Sequence, residues 1–107
     1  LPEFAWLELD LIRVIGKKQP VRIYALIGDE QVKNEKKFIE AAELQDQFLL
    51  EYRQQKWGNA TDLLETIEQS GNYDLSVLNG LYSNRIEEYK GGDLSADWDG
   101  VYSATSK

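Results

Sequence analysis

Residues 9–28 read Leu-Asp-Leu-Ile-Arg-Val-Ile-Gly-Lys-Lys-Gln-Pro-Val-Arg-Ile-Tyr-Ala-Leu-Ile-Gly: a strand, a tight basic turn and a second strand. No other stretch constrains the fold as strongly. Leu7, Leu9 and Leu11 alternate with Glu8 and Asp10, the period of two expected of a strand with one buried face. That pattern predicts a strand over Trp6–Val14 with the leucines inward and the two acids outward. Gly16-Lys17-Lys18-Gln19 makes the turn, and Pro20 suits the first residue of a strand, where a missing N–H costs least. Val21–Ile27 is β-branched and aromatic, which predicts the second strand. A lone two-stranded hairpin is marginal in water, so other parts of the chain must cover its apolar face.

The rest of the sequence supplies helices for that purpose. Gly28 ends the sheet region and Asp29-Glu30 gives an acidic start to helical sequence. From about Val32 to Gln55 the apolar residues Phe38, Ala41, Ala42, Phe48, Leu49 and Tyr52 recur near helical spacing. Gln45 interrupts that stripe, and the helix begins late, near Asn34. Trp57-Gly58-Asn59 reads as a turn, with Asn59 as the N-cap of a second helix carrying Ala60, Leu63, Leu64 and Ile67. Ser70-Gly71-Asn72 stops it. Asp74 or Ser76 caps a third helix bearing Val77, Leu78, Leu81, Tyr82, Ile86 and Tyr89, ended by Gly91-Gly92. The tail from Asp97 to Lys107 is aromatic rather than disordered in composition. The expected fold class is α+β: an N-terminal antiparallel hairpin, about three helices and a C-terminal tail that packs back, with helices layered on the hairpin.

Composition narrows the chemistry. The 107 residues fit one domain with a modest core. There is no Cys and no His, which removes disulfides, thiol chemistry, imidazole bases and Cys/His zinc sites. The net charge of −7 is unevenly spread. Residues 1–28 carry Arg13, Lys17, Lys18 and Arg22 against Glu3, Glu8 and Asp10, a net +1, while residues 29–107 carry 8 basic and 16 acidic side chains, a net −8. An acidic body repels phosphate backbones, so nucleic acid is not an expected partner. The basic patch on the hairpin is where a triphosphate would be met. No apolar run approaches the roughly 18 residues needed to cross a bilayer.

Two stretches resemble one family. Val14-Ile15-Gly16-Lys17 followed by Pro20-Val21-Arg22-Ile23-Tyr24 is similar to the last β-hairpin of the class III nucleotidyl (adenylate) cyclase catalytic domain, whose pattern is a V-K-G-K turn and a P-V-x-I-Y strand. Asp97-Trp98-Asp99-Gly100-Val101, ending in Thr105-Ser106-Lys107, resembles the terminus of bacterial cyclases that carry a helical extension after the catalytic domain. The resemblance implies two parts: residues 1–28 as the closing hairpin of a cyclase catalytic domain, and residues 29–107 as a C-terminal helical extension and tail. It implies a parent enzyme, a phosphorus–oxygen lyase, that converts ATP to cyclic AMP and pyrophosphate in intracellular signalling. The parent would use Mg or Mn ions at the interface of a homodimer. This segment's partner would be the upstream catalytic body, with no cofactor and no ATP of its own. A cytoplasmic location follows, with membrane attachment of the parent left to upstream segments. Within residues 29–107, Tyr52, Trp57-Gly58 and Ala60 also resemble a tetratricopeptide-type helical pair. One degenerate copy falls short of the about three repeats that such arrays need. A free-standing helical protein-interaction module is therefore the alternative reading.

Candidate site residues follow from the same stretches. In the family the first Lys of the turn helps hold the substrate triphosphate; the matching residue here is Ile15, which cannot contact phosphate electrostatically. Lys17 matches the second Lys and Lys18 follows it, so these two are the candidate phosphate contacts, with solvated turn lysines as the plainer reading. No residue matches the family's metal ligands or its catalytic residues. Asp97 and Asp99 flank Trp98; the structural expectation is that Trp98 anchors the tail while the acids face water or cap a turn. Tyr82, Arg85, Tyr89 and Tyr102 are expected to pack in the core with hydroxyls reaching the surface. The Val21–Ile27 strand is too apolar for a free edge.

Overall fold

In the computed structural model, which describes residues 2–92 and 94–103, strand β1 spans Ala5–Arg13 and strand β2 spans Val21–Gly28. They pair antiparallel across a turn in which Gly16 takes φ +84°, a conformation that suits a residue without Cβ. The register shifts between Glu8 and Asp10. That irregularity corrects the simple alternation expected of the sequence. In a regular strand Leu7 and Asp10 would point to opposite faces; the extra residue of a bulge rotates the chain, and both side chains are buried. Leu9 and Leu11 are only half-buried.

Four helices follow, not three. A single turn, α1 (Glu30–Lys33), is capped by Asp29, whose Oδ1 accepts from the Val32 N–H at 3.2 Å. Extended backbone at Glu35 separates it from α2 (Lys36–Arg53). Gln45 does not interrupt α2's buried stripe; it is part of it. α3 (Trp57–Ser70) starts earlier than expected: Trp57, Gly58 and Asn59 form its first turn, and Lys56 takes the N-cap position with no side-chain hydrogen bond. Asn59 instead donates to Glu51 Oε1 at 3.3 Å. Gly71, at φ +64°, ends α3 in the left-handed conformation common after helices. α4 (Ser76–Lys90) opens beneath Asp74, whose Oδ1 accepts from the Ser76 N–H at 3.1 Å. Gly91 caps its end.

The tail returns to the sheet. β3 (Tyr102–Ser103) lies parallel to Ile12 and Arg13, giving the order β2-β1-β3. β1 is therefore central and β2 is an edge strand. The fold is α+β, as the sequence leads one to expect. The main core sits where α2, α3 and α4 meet: Phe48, Leu49 and Tyr52, then Ala60, Leu64 and Ile67, then Tyr82 and Ile86. Tyr82 meets the rings of Phe48 and Tyr52 edge-on, both at 4.8 Å between centroids, the arrangement favoured by ring quadrupoles. Among the described residues no helix is long and apolar enough to cross a membrane.

Candidate functional site

The turn that carries Lys17 and Lys18 projects from the end of the β1–β2 hairpin. Both lysines and Ile15 are exposed, and the Lys17 N–H closes the turn on Val14 O at 3.2 Å. Neither lysine ion-pairs with a described residue. Arg22, the nearby third cation, is held by Glu8 Oε2 at 2.7 Å. Both lysines are thus open to solvent, where an anion could reach them.

The best-built polar constellation lies elsewhere. Asp10 on β1 and Arg85 on α4 are 9% and 7% exposed. They pair in a two-pronged arrangement, Nη1 to Oδ1 at 3.0 Å and Nη2 to Oδ2 at 2.9 Å, the geometry that suits guanidinium to carboxylate. Asp10 Oδ1 also accepts from the Leu11 N–H at 2.9 Å. The Tyr82 hydroxyl donates to Leu9 O at 2.7 Å and lies 3.1 Å from Asp10 Oδ1. The Arg85 guanidinium stacks 3.8 Å from the centre of the Tyr102 ring, a cation–π contact. This corrects the expectation for Tyr82, whose hydroxyl points inward to β1 rather than to the surface. Burial, and then the charge of Asp10, push its phenol well above the ordinary range. Burial works against the Arg85 charge, but the hydrogen bonds and charge of Asp10 outweigh it and raise its pKa. Three segments distant in sequence, β1, α4 and β3, meet here, so spacing alone could not show the cluster. The signal present in the sequence was an arginine one turn after a tyrosine on an apolar helix face.

A second polar link joins α2 to the sheet. Glu8 Oε2 receives Arg53 at 2.8 Å as well as Arg22. Burial and the Glu8 charge raise the nearby Asp46 carboxyl, with Arg53 opposing. Arg53 also packs across Gly100, where an added Cβ would stand 2.6 Å from Arg53 Cγ; that close approach, with φ +79°, requires a glycine.

The tail is an anchor. Trp98 is half-buried against the rings of Tyr52, Trp57 and Tyr89, at 5.6, 6.2 and 5.1 Å, and its Nε1 donates to Val101 O at 3.0 Å. Asp99 accepts from the Val101 N–H at 3.1 Å and pairs with Arg13 at 3.1 Å. Desolvation opposes its charge, but those two donors outweigh it and hold the carboxyl below the usual range. Asp97 is bonded to the Ser95 hydroxyl. The two acids therefore serve separate turns. Among the described residues no three acidic side chains converge as a metal site would require. Thr105, Ser106 and Lys107 lie outside the described residues.

Compared with known protein families, curated proteins and solved structures, the chain matches none of them.

Proposed function

We propose that this chain is the C-terminal part of an adenylate cyclase, a structural segment with no catalytic site of its own. Its hairpin would join the sheet of an upstream catalytic body, and its helices and tail would brace that body. The observation that carries the reading is the state of β2. Among the described residues its outer edge is paired to no strand, while Tyr24 and Leu26 are 50% and 55% exposed. An apolar strand with a free edge is a template for further pairing. The resemblance of the turn and of the tail to cyclases stands beside that observation, with Ile15 departing from the turn's pattern.

The chemistry divides accordingly. Cyclisation of ATP needs metal ions to neutralise the triphosphate and activate the ribose hydroxyl. The described residues do not fit such a group, since Asp99 is committed to Arg13 and to the Val101 N–H. In this reading the metals belong to the upstream body, and Lys17 and Lys18 contribute at most charge near the triphosphate. The test is incubation with Mn-ATP and sensitive detection of cyclic AMP. The 107-residue chain should give none, and the complete reading frame should give product. Turnover by the chain itself, or an inactive complete protein, would overturn the proposal.

A further inference from the structure

Two helices of this chain end in the same left-handed backbone with different residues in the seat. α3 ends on Gly71 at φ +64°, and α2 is followed by Gln55 at φ +62°. The Gln55 N–H bonds Tyr52 O at 3.0 Å and the Lys56 N–H bonds Glu51 O at 2.9 Å, a paired closure that glycine commonly completes. Gly71 takes this conformation freely, whereas a residue with a Cβ is strained in it. Glycines apart, Gln55 alone has a positive φ among the described residues. Strain kept at one position points to something the side chain does there. The Gln55 Nε2 donates to Ser95 O at 2.6 Å, 40 residues further on. Its neighbours reach the same segment. Arg53 packs its Cβ and Cγ across Gly100, and the Trp57 ring lies 6.2 Å from that of Trp98. Every second residue from 53 to 57 therefore holds the tail between Ser95 and Gly100.

From this arrangement we infer that the α2–α3 corner is a clamp, and that residues 95–103 are a strap which opens as a unit while the body stays folded. Closed, the strap lays β3 along the outer edge of β1 at Ile12 and Arg13 and sets the Tyr102 ring on the Arg85 guanidinium. It thereby guards a sheet edge and covers the Asp10–Arg85 pair. Little of the strap is buried: Ser95, Ala96, Asp97 and Asp99 are exposed, Trp98 and Tyr102 are half-buried, and Gly100 and Val101 are buried. The core beneath it comes from α2, α3 and α4. Segments with few buried contacts open before the core does. The inference does not depend on the cyclase reading, because the clamp is built from helices remote from the hairpin turn.

The test is native-state hydrogen exchange on the full chain. The strap is read at the Trp98 indole N–H, which donates to Val101 O, and at the Trp98 backbone N–H, which bonds Ser95 O at 3.1 Å. The core is read at the Leu49 and Tyr82 amides. In the unaltered chain the strap should be protected at least tenfold less than the core. Gln55→Gly relieves the backbone and removes the grip, so the melting temperature should rise by about 4 °C while strap exchange quickens. Gln55→Glu keeps the strained backbone and replaces the donor by an oxygen that, ionised, only accepts. It should speed strap exchange by about tenfold and leave core exchange nearly unchanged. Equal protection of strap and core in the unaltered chain, strap exchange unchanged in Gln55→Glu, or a lower melting temperature in Gln55→Gly would each overturn the inference. The first of these needs no variant, so a variant that fails to fold does not shield it.

Discussion

The two strands of the hairpin are alike in composition and opposite in circumstance. Leu7 on β1 is 1% exposed, whereas Leu26 on β2 is 55% exposed. Both sequences are rich in the residues that suit pleated backbone, and each forms its strand. What separates them is what lies next to them. β1 has β2 on one side and β3 on the other, and its carboxylates hold arginines from two helices, Asp10 with Arg85 and Glu8 with Arg53. β2 has a neighbour on one side alone among the described residues. Strand propensity is a local property; burial is conferred by the partners a strand recruits. Here β1 recruits through charged groups that a simple alternation would have placed in solvent.

The comparison breaks most sharply at Asp10–Arg85. Arg85→Ala leaves the Asp10 carboxylate buried without its partner, a loss of about 3–5 kcal/mol. Its melting temperature should fall by roughly 10 °C or more, and amide exchange should show β1 losing protection toward the level of β2. The double substitution Asp10→Leu with Arg85→Leu should recover much of that stability, because the desolvation cost of both charges disappears. An Arg85→Ala protein within about 1 kcal/mol of the parent would show that the pair is solvated and that β1 owes its burial to packing.

Alkaline pH loosens the same junction. The Tyr52 and Tyr82 phenols are raised well above the ordinary value of 10.0, chiefly by burial. A group whose folded pKa is raised contributes stability that is whole below its unfolded pKa and is lost as pH rises toward the folded one. Stability should therefore hold up to about pH 10 and fall beyond it, since the unfolded chain ionises there while the folded chain keeps both phenols neutral. In an ultraviolet titration two of the 6 tyrosines should ionise only as the protein unfolds. Smooth titration of all of them in an intact fold would contradict the buried placement of these hydroxyls.

How far the sequence reveals this molecule depends on the range of the interaction. The hairpin, the helical stripe of α2 and the glycine stops are set by neighbours within a turn, and they are legible; on α4 the expected apolar residues Val77 and Leu81 are exposed, and Asn79 and Arg85 are buried beside Tyr82 and Ile86. α3 began a turn early because Trp57 packs on Tyr52 and Tyr89, and that tertiary gain overrode the turn propensity of Gly58 and Asn59. Gln45 reads as a break because its chemistry is polar, although its position on the helix is a core position. α1 went unseen because Asp29 caps a helix of a single turn, too short for any periodicity. The bulge that turns Asp10 inward follows from Arg85, 75 residues away, and no local pattern encodes it.

Trp98 tests whether the tail is part of β1's support. Its ring covers Tyr52, Trp57 and Tyr89, and β3 follows four residues later. Trp98→Ala removes ring burial worth about 2–3 kcal/mol, less than the cost of opening the Asp10–Arg85 pair. The expected signature is a clear drop in melting temperature together with loss of exchange protection at Ile12 and Arg13, the residues that pair with β3. A stability change without any change at those amides would mean that the aromatic cluster holds the helices and that β3 is held separately.

The smallest effect on stability should come from β2's exposed residues, and it sharpens the comparison by separating burial from association. Replacing Tyr24 and Leu26 by Thr puts β-branched side chains suited to a strand at both positions and removes apolar surface that is half in water already. Surface substitutions of this kind stay within about 0.5 kcal/mol, so chemical denaturation should be nearly unchanged, whereas the same replacement at Leu7 would open a cavity costing several times more. Association should respond differently. An apolar edge invites strand-to-strand pairing, so the unaltered chain should self-associate in sedimentation runs as concentration rises, and the Tyr24→Thr/Leu26→Thr protein should do so less. If instead the substitutions lower stability by as much as a core change, β2 is supported on that face by the chain itself, and the contrast with β1 fails. If stability and association both stay as they were, the edge of β2 is inert, and the proposed joining of this hairpin to a larger sheet loses its structural basis.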